Sequence, residues 1–159
     1  MLFYFISIQQ VQRQEFRAAQ ITKSHHLNIS NNHTIMKIKL AVNGTLMRGL
    51  ALNHNLLELG GVFVEEALTA PFYRLWSIND QHPAMQRCAS GGQISLEIWS
   101  IDSSHIGELL GREPAGLSVG KILLADNQEV LGILGESYLC EGMQEITQFG
   151  GWRKYRGLR

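Results

Sequence analysis

The chain has 159 residues, enough to bury the core of one domain, and 45% of them are hydrophobic while 18% are charged, as is typical of globular proteins. Its 14 basic and 14 acidic side chains cancel, which argues against nucleic acid or an anionic membrane as a partner held by bulk charge. The 2 cysteines make no disulfide framework and indicate free thiols in a reducing, cytoplasmic compartment. No spacing of cysteine and histidine is typical of zinc, and no apolar run approaches the roughly 18 residues of a membrane helix. We therefore expect no metal, no cofactor and no membrane association.

Residues 1–35 differ in character from the rest of the chain. The short apolar run from Met1 to Ile8 has no preceding positive charge and no clear cleavage site after it, which argues against a signal peptide. Gln-rich and Asn/His-rich segments follow without hydrophobic periodicity. We predict a poorly ordered N-terminal extension over residues 1–35, an alternative start of translation at Met36, and a single domain over residues 36–159.

The first strong pattern of the predicted domain lies in residues 36–42. Apolar side chains such as Ile38 and Leu40 alternate there with Lys37 and Lys39. A period of two predicts a strand with one buried face.

A glycine turn and a short helix are predicted after this strand. Gly44 lets the backbone turn and approach a ligand closely. Asn53 is a favourable N-cap and Gly60 a favourable helix end, which puts His54 in the first turn of the helix. Unpaired amides at the turn and at the helix N-terminus favour an anion such as a carboxylate. The predicted substrate-binding loop consists of Asn43, Gly44, Thr45 and Leu46.

The remaining sequence indicates strands joined by short turns. Strands are predicted over residues 62–68, 72–78, 84–88 and 93–98, a helix over 103–110, and a hairpin of residues 119–124 with 129–138. Residues 146–153 close the predicted core. Many strands with short connections and few helices favour an α+β fold, and we predict a small, mainly antiparallel β-barrel with a few short helices.

Several short motifs in this part of the chain carry a family resemblance. They are Val-Asn-Gly-Thr-Leu-Met at residues 42–47, Gly-Leu-Ala-Leu-Asn-His at 49–54, Thr-Ala-Pro-Phe-Tyr-Arg-Leu at 69–75, residues 114–120, Val-Leu-Gly at 130–132 with Glu136, Ile-Thr at 146–147, and Phe-Gly-Gly-Trp-Arg at 149–153. By their order and spacing, the segment from Leu40 to Tyr155 resembles the C-terminal domain of allophanate hydrolase, which has a gamma-glutamylcyclotransferase-like fold.

The resemblance implies an activity. In allophanate hydrolase a separate amidase domain deaminates allophanate, and the C-terminal domain breaks down the product, N-carboxycarbamate, to carbon dioxide and ammonia. The present sequence has no long Gly/Ser-rich stretch with a catalytic Ser and Lys. We therefore predict a stand-alone relative that acts on a small carboxylate substrate, with an amidase partner or a homo-oligomer as the expected assembly.

His54 is the first catalytic candidate. An imidazole at a helix N-terminus is biased towards its neutral form and can still carry a proton near neutral pH. Breakdown of a carbamate needs a proton on nitrogen as the C–N bond breaks, and a positioned histidine is a suitable donor. The plainer interpretation is a surface histidine that only hydrogen-bonds the loop.

Glu113 is the second catalytic candidate. The resemblance implies that true gamma-glutamylcyclotransferases use an acidic general base after the helix that corresponds to residues 103–110, and Glu113 stands in that region. The allophanate-type pattern typically lacks this acid. We therefore interpret Glu113 as a solvated turn residue and reserve a catalytic role for it in the alternative function.

Tyr73 and Arg74 complete the predicted site. Arg74 could pair with a substrate carboxylate through its bidentate fork, although an arginine between two aromatic residues more often packs its stem. The alternating pattern predicts that Glu97 faces solvent, and Phe149 and Trp152 are interpreted as core aromatics.

Three functions from different classes remain open. The first is an enzyme acting on a small carboxylated nitrogen compound. The second is a cyclotransferase or lyase acting on a gamma-glutamyl amine, which would need Glu113 in the pocket. The third is a non-catalytic binding or assembly module, which a pocket lacking both His54 and an acid would favour.

A chain that begins at Met36 should fold like the full chain, since residues 1–35 lack the pattern needed to bury surface. Its melting temperature should lie within about 5 °C of that of the full chain, a shift of the order of 1 kcal/mol. Calorimetry of the two proteins is the measurement. A much larger loss would mean that the N-terminal residues pack on the domain.

Overall fold

In the computed structural model, residues 36–158 are described. The predicted N-terminal extension lies outside these residues. The strands are β1 (Lys37–Val42), β2 (Val62–Leu68), β3 (Tyr73–Ile78), β4 (His82–Arg87), β5 (Ser95–Asp102), β6 (Leu117–Leu123), β7 (Glu129–Gly135) and β8 (Gln144–Glu145). The α-helices are α1 (Asn53–Glu58), α2 (Ile106–Gly111), α3 (Ser137–Cys140) and α4 (Trp152–Tyr155), and Ser103–His105 and Thr147–Phe149 are 3-10 turns.

The strands form two sheets. A five-stranded sheet has the order β2-β5-β1-β7-β6, and a three-stranded sheet has the order β4-β3-β8. The pair β1–β7 is parallel, while the other strand pairs between residues 36 and 158 are antiparallel. The α+β, mainly antiparallel class is confirmed, whereas the barrel is not, because the two sheets do not join into one closed cylinder.

Two apolar clusters lie on opposite faces of the large sheet. One is built from side chains of both sheets, including Leu75 of β3, Met85 of β4 and Ile98 of β5. The other contains Leu56 of α1 and Leu109 of α2 and covers the second face. The large sheet is therefore the middle layer between the small sheet and the helices.

The prediction that β1 has one buried face is wrong for its second half. Leu40 and Val42 belong to the cluster on the helix side, and Ala41 belongs to the cluster between the sheets, with all three fully buried. Position explains the difference, because β1 is the central strand and carries a layer on each face. Met36 is 60% exposed, so burial begins only after the first residues of the strand.

Most predicted elements are present, with changes at some of their ends. The predicted strand over residues 129–138 stops at Gly135, because Ser137–Cys140 forms a helical turn. Gly60 ends α1 as predicted, with φ +70° and its amide donating to the Leu57 carbonyl.

Across residues 36–158 there is no helix with the length and apolar character needed to cross a membrane.

Gly132→Ala should destabilise the fold at the β1–β7 contact. An added Cβ would lie 2.3 Å from Ile122 Cδ1 and 2.8 Å from the Ala41 carbonyl oxygen, so the free energy of unfolding should fall by about 1–3 kcal/mol. Gly107→Ala in α2 is the matched control, because its Cβ would meet no atom within 4 Å. Urea unfolding of both variants measures the difference, and equal stabilities would contradict this account of the strand pair.

Candidate functional site

The loop over residues 43–52, called the β1–α1 loop, is fixed by the side-chain amides of Asn43 and Asn53. Asn43 Nδ2 donates to the Ile133 carbonyl of β7 at 3.0 Å, and Asn53 Nδ2 donates to the Leu46 carbonyl at 2.8 Å. Asn53 is therefore not the N-cap that the sequence predicts. Leu52 occupies that position without a side-chain cap, and the buried Asn53 amide serves the loop instead.

Gly44 is required by packing against the protein. A Cβ at this position would lie 2.5 Å from Pro83 Cγ and 2.6 Å from its Cδ. The sequence predicts that Gly44 lets the backbone approach a ligand closely. In the structure, the close approach at Gly44 is to Pro83 at the start of β4. A side chain here would have to displace Pro83 or the loop.

The same loop presents backbone donors. Within residues 36–158, no oxygen accepts a hydrogen bond from the amides of Gly44, Thr45 or Leu46. The next amide, that of Met47, donates back to the Gly44 carbonyl at 2.9 Å. Three consecutive amides are therefore available for an anion, as the predicted role of the loop requires.

A small cavity lies beside these amides. It has a volume of about 20 Å³, which is room for roughly one water molecule. Its lining comprises Val42, Asn43, Gly44, Thr45, Leu46, His82, Pro83, Glu113, Leu117 and Ile133. It therefore joins the β1–α1 loop to β4, β7 and the segment after α2.

Glu113 lies in this cavity, and its interpretation as a solvated turn residue is wrong. The side-chain amide of Asn55 in α1 hydrogen-bonds the Glu113 carboxylate, while the other oxygen, Oε1, is buried without a partner in the described part of the chain. Burial raises the pKa of Glu113 from 4.5 to about 7, and the hydrogen bond from Asn55 opposes this shift only in part. Glu113 can therefore exchange a proton near neutral pH.

His82 is a cavity residue that the sequence analysis missed. It is buried at the start of β4, and its Nδ1 lies 3.2 Å from the Pro83 carbonyl. That contact favours a proton on Nδ1 and leaves Nε2 as an acceptor. Residues 79–83 predict only a turn, because the contact depends on how β4 packs against the β1–α1 loop.

His54, the first catalytic candidate, lies outside the cavity lining. Its side chain is exposed, and Nδ1 lies 3.1 Å from the Ala51 carbonyl one turn earlier. The buried side of α1 consists of Asn53, Asn55 and Leu56, and His54 lies on the other side of the helix, which faces solvent. The geometry agrees with the plainer interpretation of a surface histidine.

Arg74 and Tyr73 also lie elsewhere. Arg74 Nε donates to Glu145 Oε1 at 3.0 Å, and its Nη2 donates to the other oxygen of the same carboxylate. Arg74 therefore forms its bidentate pair with a carboxylate of the protein itself, whereas the sequence analysis suggests a carboxylate of the substrate. Tyr73 is fully buried, and its hydroxyl accepts the Leu123 amide at 2.8 Å, so it is a core residue.

Glu97 is buried, contrary to the expectation that it faces solvent. It is 1% exposed and accepts four hydrogen bonds. The donors are the Arg48 amide at 2.9 Å, Arg48 Nε at 3.1 Å, Trp99 Nε1 at 3.1 Å and Arg153 Nη2 at 3.3 Å. The alternation that predicts an exposed face fails because the β1–α1 loop covers this side of β5.

Comparison with known proteins identifies the family. The sequence profile described as the allophanate hydrolase C-terminal domain matches residues 38–157. The chain belongs to this family. Its fold is the gamma-glutamylcyclotransferase-like fold that the resemblance implies.

Two family members illustrate the range of chain lengths. A structure of a uropathogenic E. coli-specific protein is 54% identical with a TM-score of 0.76, and the match covers 77% of this chain and 97% of that one. The urea amidolyase of Lachancea kluyveri is 29% identical in an alignment of 126 residues that covers 74% of this chain and 7% of that protein.

The structure of Kluyveromyces lactis allophanate hydrolase is 26% identical with a TM-score of 0.72, covering 80% of this chain and 22% of that one. This chain thus corresponds to a small part of the urea amidolyase and allophanate hydrolase relatives, and in them the family domain belongs to a much longer polypeptide.

Glu113→Gln should change how stability depends on pH. Since the pKa is raised from 4.5 to about 7 in the folded state, the stabilising effect of the protonated form is complete below pH 4.5 and is lost as pH rises through about 7. The measured quantity is the difference in free energy of unfolding between the wild type and Glu113→Gln, wild type minus variant. This difference should fall by about 1–2 kcal/mol between about pH 5 and pH 8, a value reduced because the carboxyl group is partly exposed to solvent. Urea titrations across this range measure it. A difference independent of pH would contradict the buried position of the carboxyl.

Proposed function

We propose that this protein is an enzyme that breaks down a small carboxylated nitrogen compound of the N-carboxycarbamate type to carbon dioxide and ammonia. The observation that carries the proposal is the match to the allophanate hydrolase C-terminal domain over residues 38–157, and Glu113 is the acid in the cavity that can serve this reaction. Its carboxyl group shares a cavity with the amides of the β1–α1 loop, has one buried oxygen without a partner among residues 36–158, and has a pKa of about 7. Family membership supports the same class of reaction.

The loop amides hold the substrate in this proposal. N-carboxycarbamate carries two carboxylates on one nitrogen, and one of them would accept hydrogen bonds from the amides of Gly44, Thr45 and Leu46. These amides have no acceptor between residues 36 and 158, so binding would not cost existing hydrogen bonds. The hydroxyl of Thr45 is a further donor at the same place.

Glu113 supplies the proton. As the first C–N bond breaks, its electrons go to nitrogen, carbon dioxide leaves, and the nitrogen takes a proton from the Glu113 carboxyl group, giving carbamate. A second proton on the carbamate nitrogen gives ammonia and a second carbon dioxide. An acid whose pKa lies near 7 is half protonated at neutral pH and is suited to both donating and regaining the proton.

The size of the cavity favours a small substrate. A volume of about 20 Å³ is less than even N-carboxycarbamate needs, so the β1–α1 loop or the segment around Glu113 must open on binding. A larger gamma-glutamyl amine would require more opening. The alternative is a gamma-glutamylcyclotransferase-like reaction in which Glu113 is the base on the substrate amine. The size of the cavity disfavours this alternative, whereas the presence of an acid in the cavity favours it.

The physiological setting belongs to the same proposal. An amidase that deaminates allophanate would supply the substrate, either as a separate protein or within an assembly of several chains. The long relatives named for allophanate hydrolase and urea amidolyase support such a partner. The free thiols of Cys88 and Cys140 agree with a reducing, cytoplasmic location.

Glu113→Gln should lower the rate acceleration over uncatalysed decay by about a hundredfold or more, because glutamine cannot donate the proton. His54→Ala, the matched control at the other candidate, should retain nearly full activity, since its ring lies outside the cavity lining. An amidase acting on allophanate can generate the unstable substrate in place, and release of carbon dioxide is the measurement.

Three outcomes would redirect the proposal. Loss of activity in His54→Ala with normal activity in Glu113→Gln would return the proton transfer to the histidine. Turnover of a gamma-glutamyl amine by the wild type, abolished in Glu113→Gln, would establish the cyclotransferase-like alternative. If neither substrate class is turned over, the protein is a non-catalytic binding or assembly module.

A further inference from the structure

A groove separate from the Glu113 cavity runs along the outer side of the β1–α1 loop. Its volume is about 740 Å³, within the range of roughly 300–1,000 Å³ typical of sites for small organic ligands. Its lining comes from Met47 and Arg48 of the loop, from the end of β2 and the start of β5, and from Ala125, residues 151–154 and Leu158. It shares no lining residue with the cavity that contains Glu113.

The charges of the groove favour an anion. Arg48, Arg153 and Lys154 line it, against Glu66 as the one carboxylate among its lining residues. Glu66 is exposed and binds Arg48 Nη2 at 2.7 Å, so a ligand carboxylate could replace it there. Lys154 is exposed and forms no ion pair with another residue of the described region.

Buried Glu97 holds both arginines in place. Its carboxylate binds Arg48 Nε and Arg153 Nη2, and Arg153 also donates to the Arg48 carbonyl. The Arg48 guanidinium lies 3.5 Å from the centre of the Phe63 ring, which fixes it from the other side. Side chains held in this way lose little conformational freedom when a ligand binds.

The rest of the lining is apolar. Leu68 and Leu158 supply the exposed hydrophobic surface, Leu96 and Trp152 lie almost fully buried beneath it, and Ser95 supplies a hydroxyl group. Leu68 is 43% exposed and Leu158 is 47% exposed, so both side chains can contact a ligand. A flat hydrocarbon group would cover this surface while its charge faces the cations.

We propose that this groove is a second binding site, specific for a small organic carboxylate with a flat apolar body. The carboxylate would lie against Arg48, Arg153 and Lys154, and the apolar body against Leu68 and Leu158. Because Arg48 is part of the β1–α1 loop, the site can sense or influence the conformation of the loop that forms the Glu113 cavity. The site does not depend on the reaction proposed for Glu113.

Phenylacetate is a suitable probe of the groove. Phenylacetamide, which has the same ring but no charge, is the control compound. Chemical-shift mapping of the full ¹⁵N-labelled chain should show saturable changes with phenylacetate around residues 47–48, 67–68, 95–96 and 151–154. Phenylacetamide should give much weaker changes, and added salt should weaken the binding of phenylacetate. Equal binding of both probes, no binding of either, or changes confined to residues 43–46 would overturn the proposal.

Lys154→Gln tests the contribution of charge without disturbing the buried ion pairs. It should raise the Kd for phenylacetate by about fivefold, the scale of one partly exposed charge pair. Lys121→Gln is the control, since Lys121 is an exposed lysine that pairs with Glu129 outside the groove, and it should leave the Kd unchanged.

Glu113→Gln separates this site from the proposed catalytic one. It should retain phenylacetate binding whether or not it retains activity. An unchanged Kd in Lys154→Gln, or loss of binding in Glu113→Gln, would rule the groove out as the site. Arg153→Gln is the less decisive variant, because Arg153 also pairs with buried Glu97 and its loss could impair folding.

Discussion

The parallel pairing of β1 with β7 is the contact on which the candidate site depends. It sets Ala41 opposite Gly132, where the absence of a side chain lets the two strands and Ile122 come together. In this register Asn43, the first residue after β1, reaches the carbonyl of Ile133. The β1–α1 loop therefore starts from a fixed point, and the position of its free amides follows from strand pairing.

Two carboxylates in this structure are withdrawn from solvent in different ways. Glu97 accepts hydrogen bonds from four donors, two of them guanidinium groups, so its charge is balanced and it acts as a structural anchor. Glu113 has a single amide partner and one buried oxygen with none in the described region. An underpartnered carboxyl group has a raised pKa and is the kind of group that catalysis uses.

The β1–α1 loop connects these two environments. Its first part, residues 43–46, lines the small cavity with Glu113, and its next two residues line the large groove. The loop is held by Asn43 at one end, by Asn53 in the middle and by Glu97 at Arg48. Opening of the small cavity would have to act against these three anchors.

Local sequence patterns determined much of this protein. The alternation in β1, the glycine that ends α1 and the order of short motifs were enough to predict an α+β domain and its family, because these features depend on neighbouring residues. They also indicated the loop over residues 43–46, in which the amides of Gly44, Thr45 and Leu46 have no acceptor in the described part of the chain. Only the tertiary structure decided which side chains meet that loop. Glu113 and His82 reach it from distant segments, whereas His54, close to it in sequence, turns to solvent on the outer side of α1. Burial of a polar group such as Glu97 or Glu113 depends on which segments from elsewhere in the chain pack over it. Periodicity within one strand or turn cannot predict that packing.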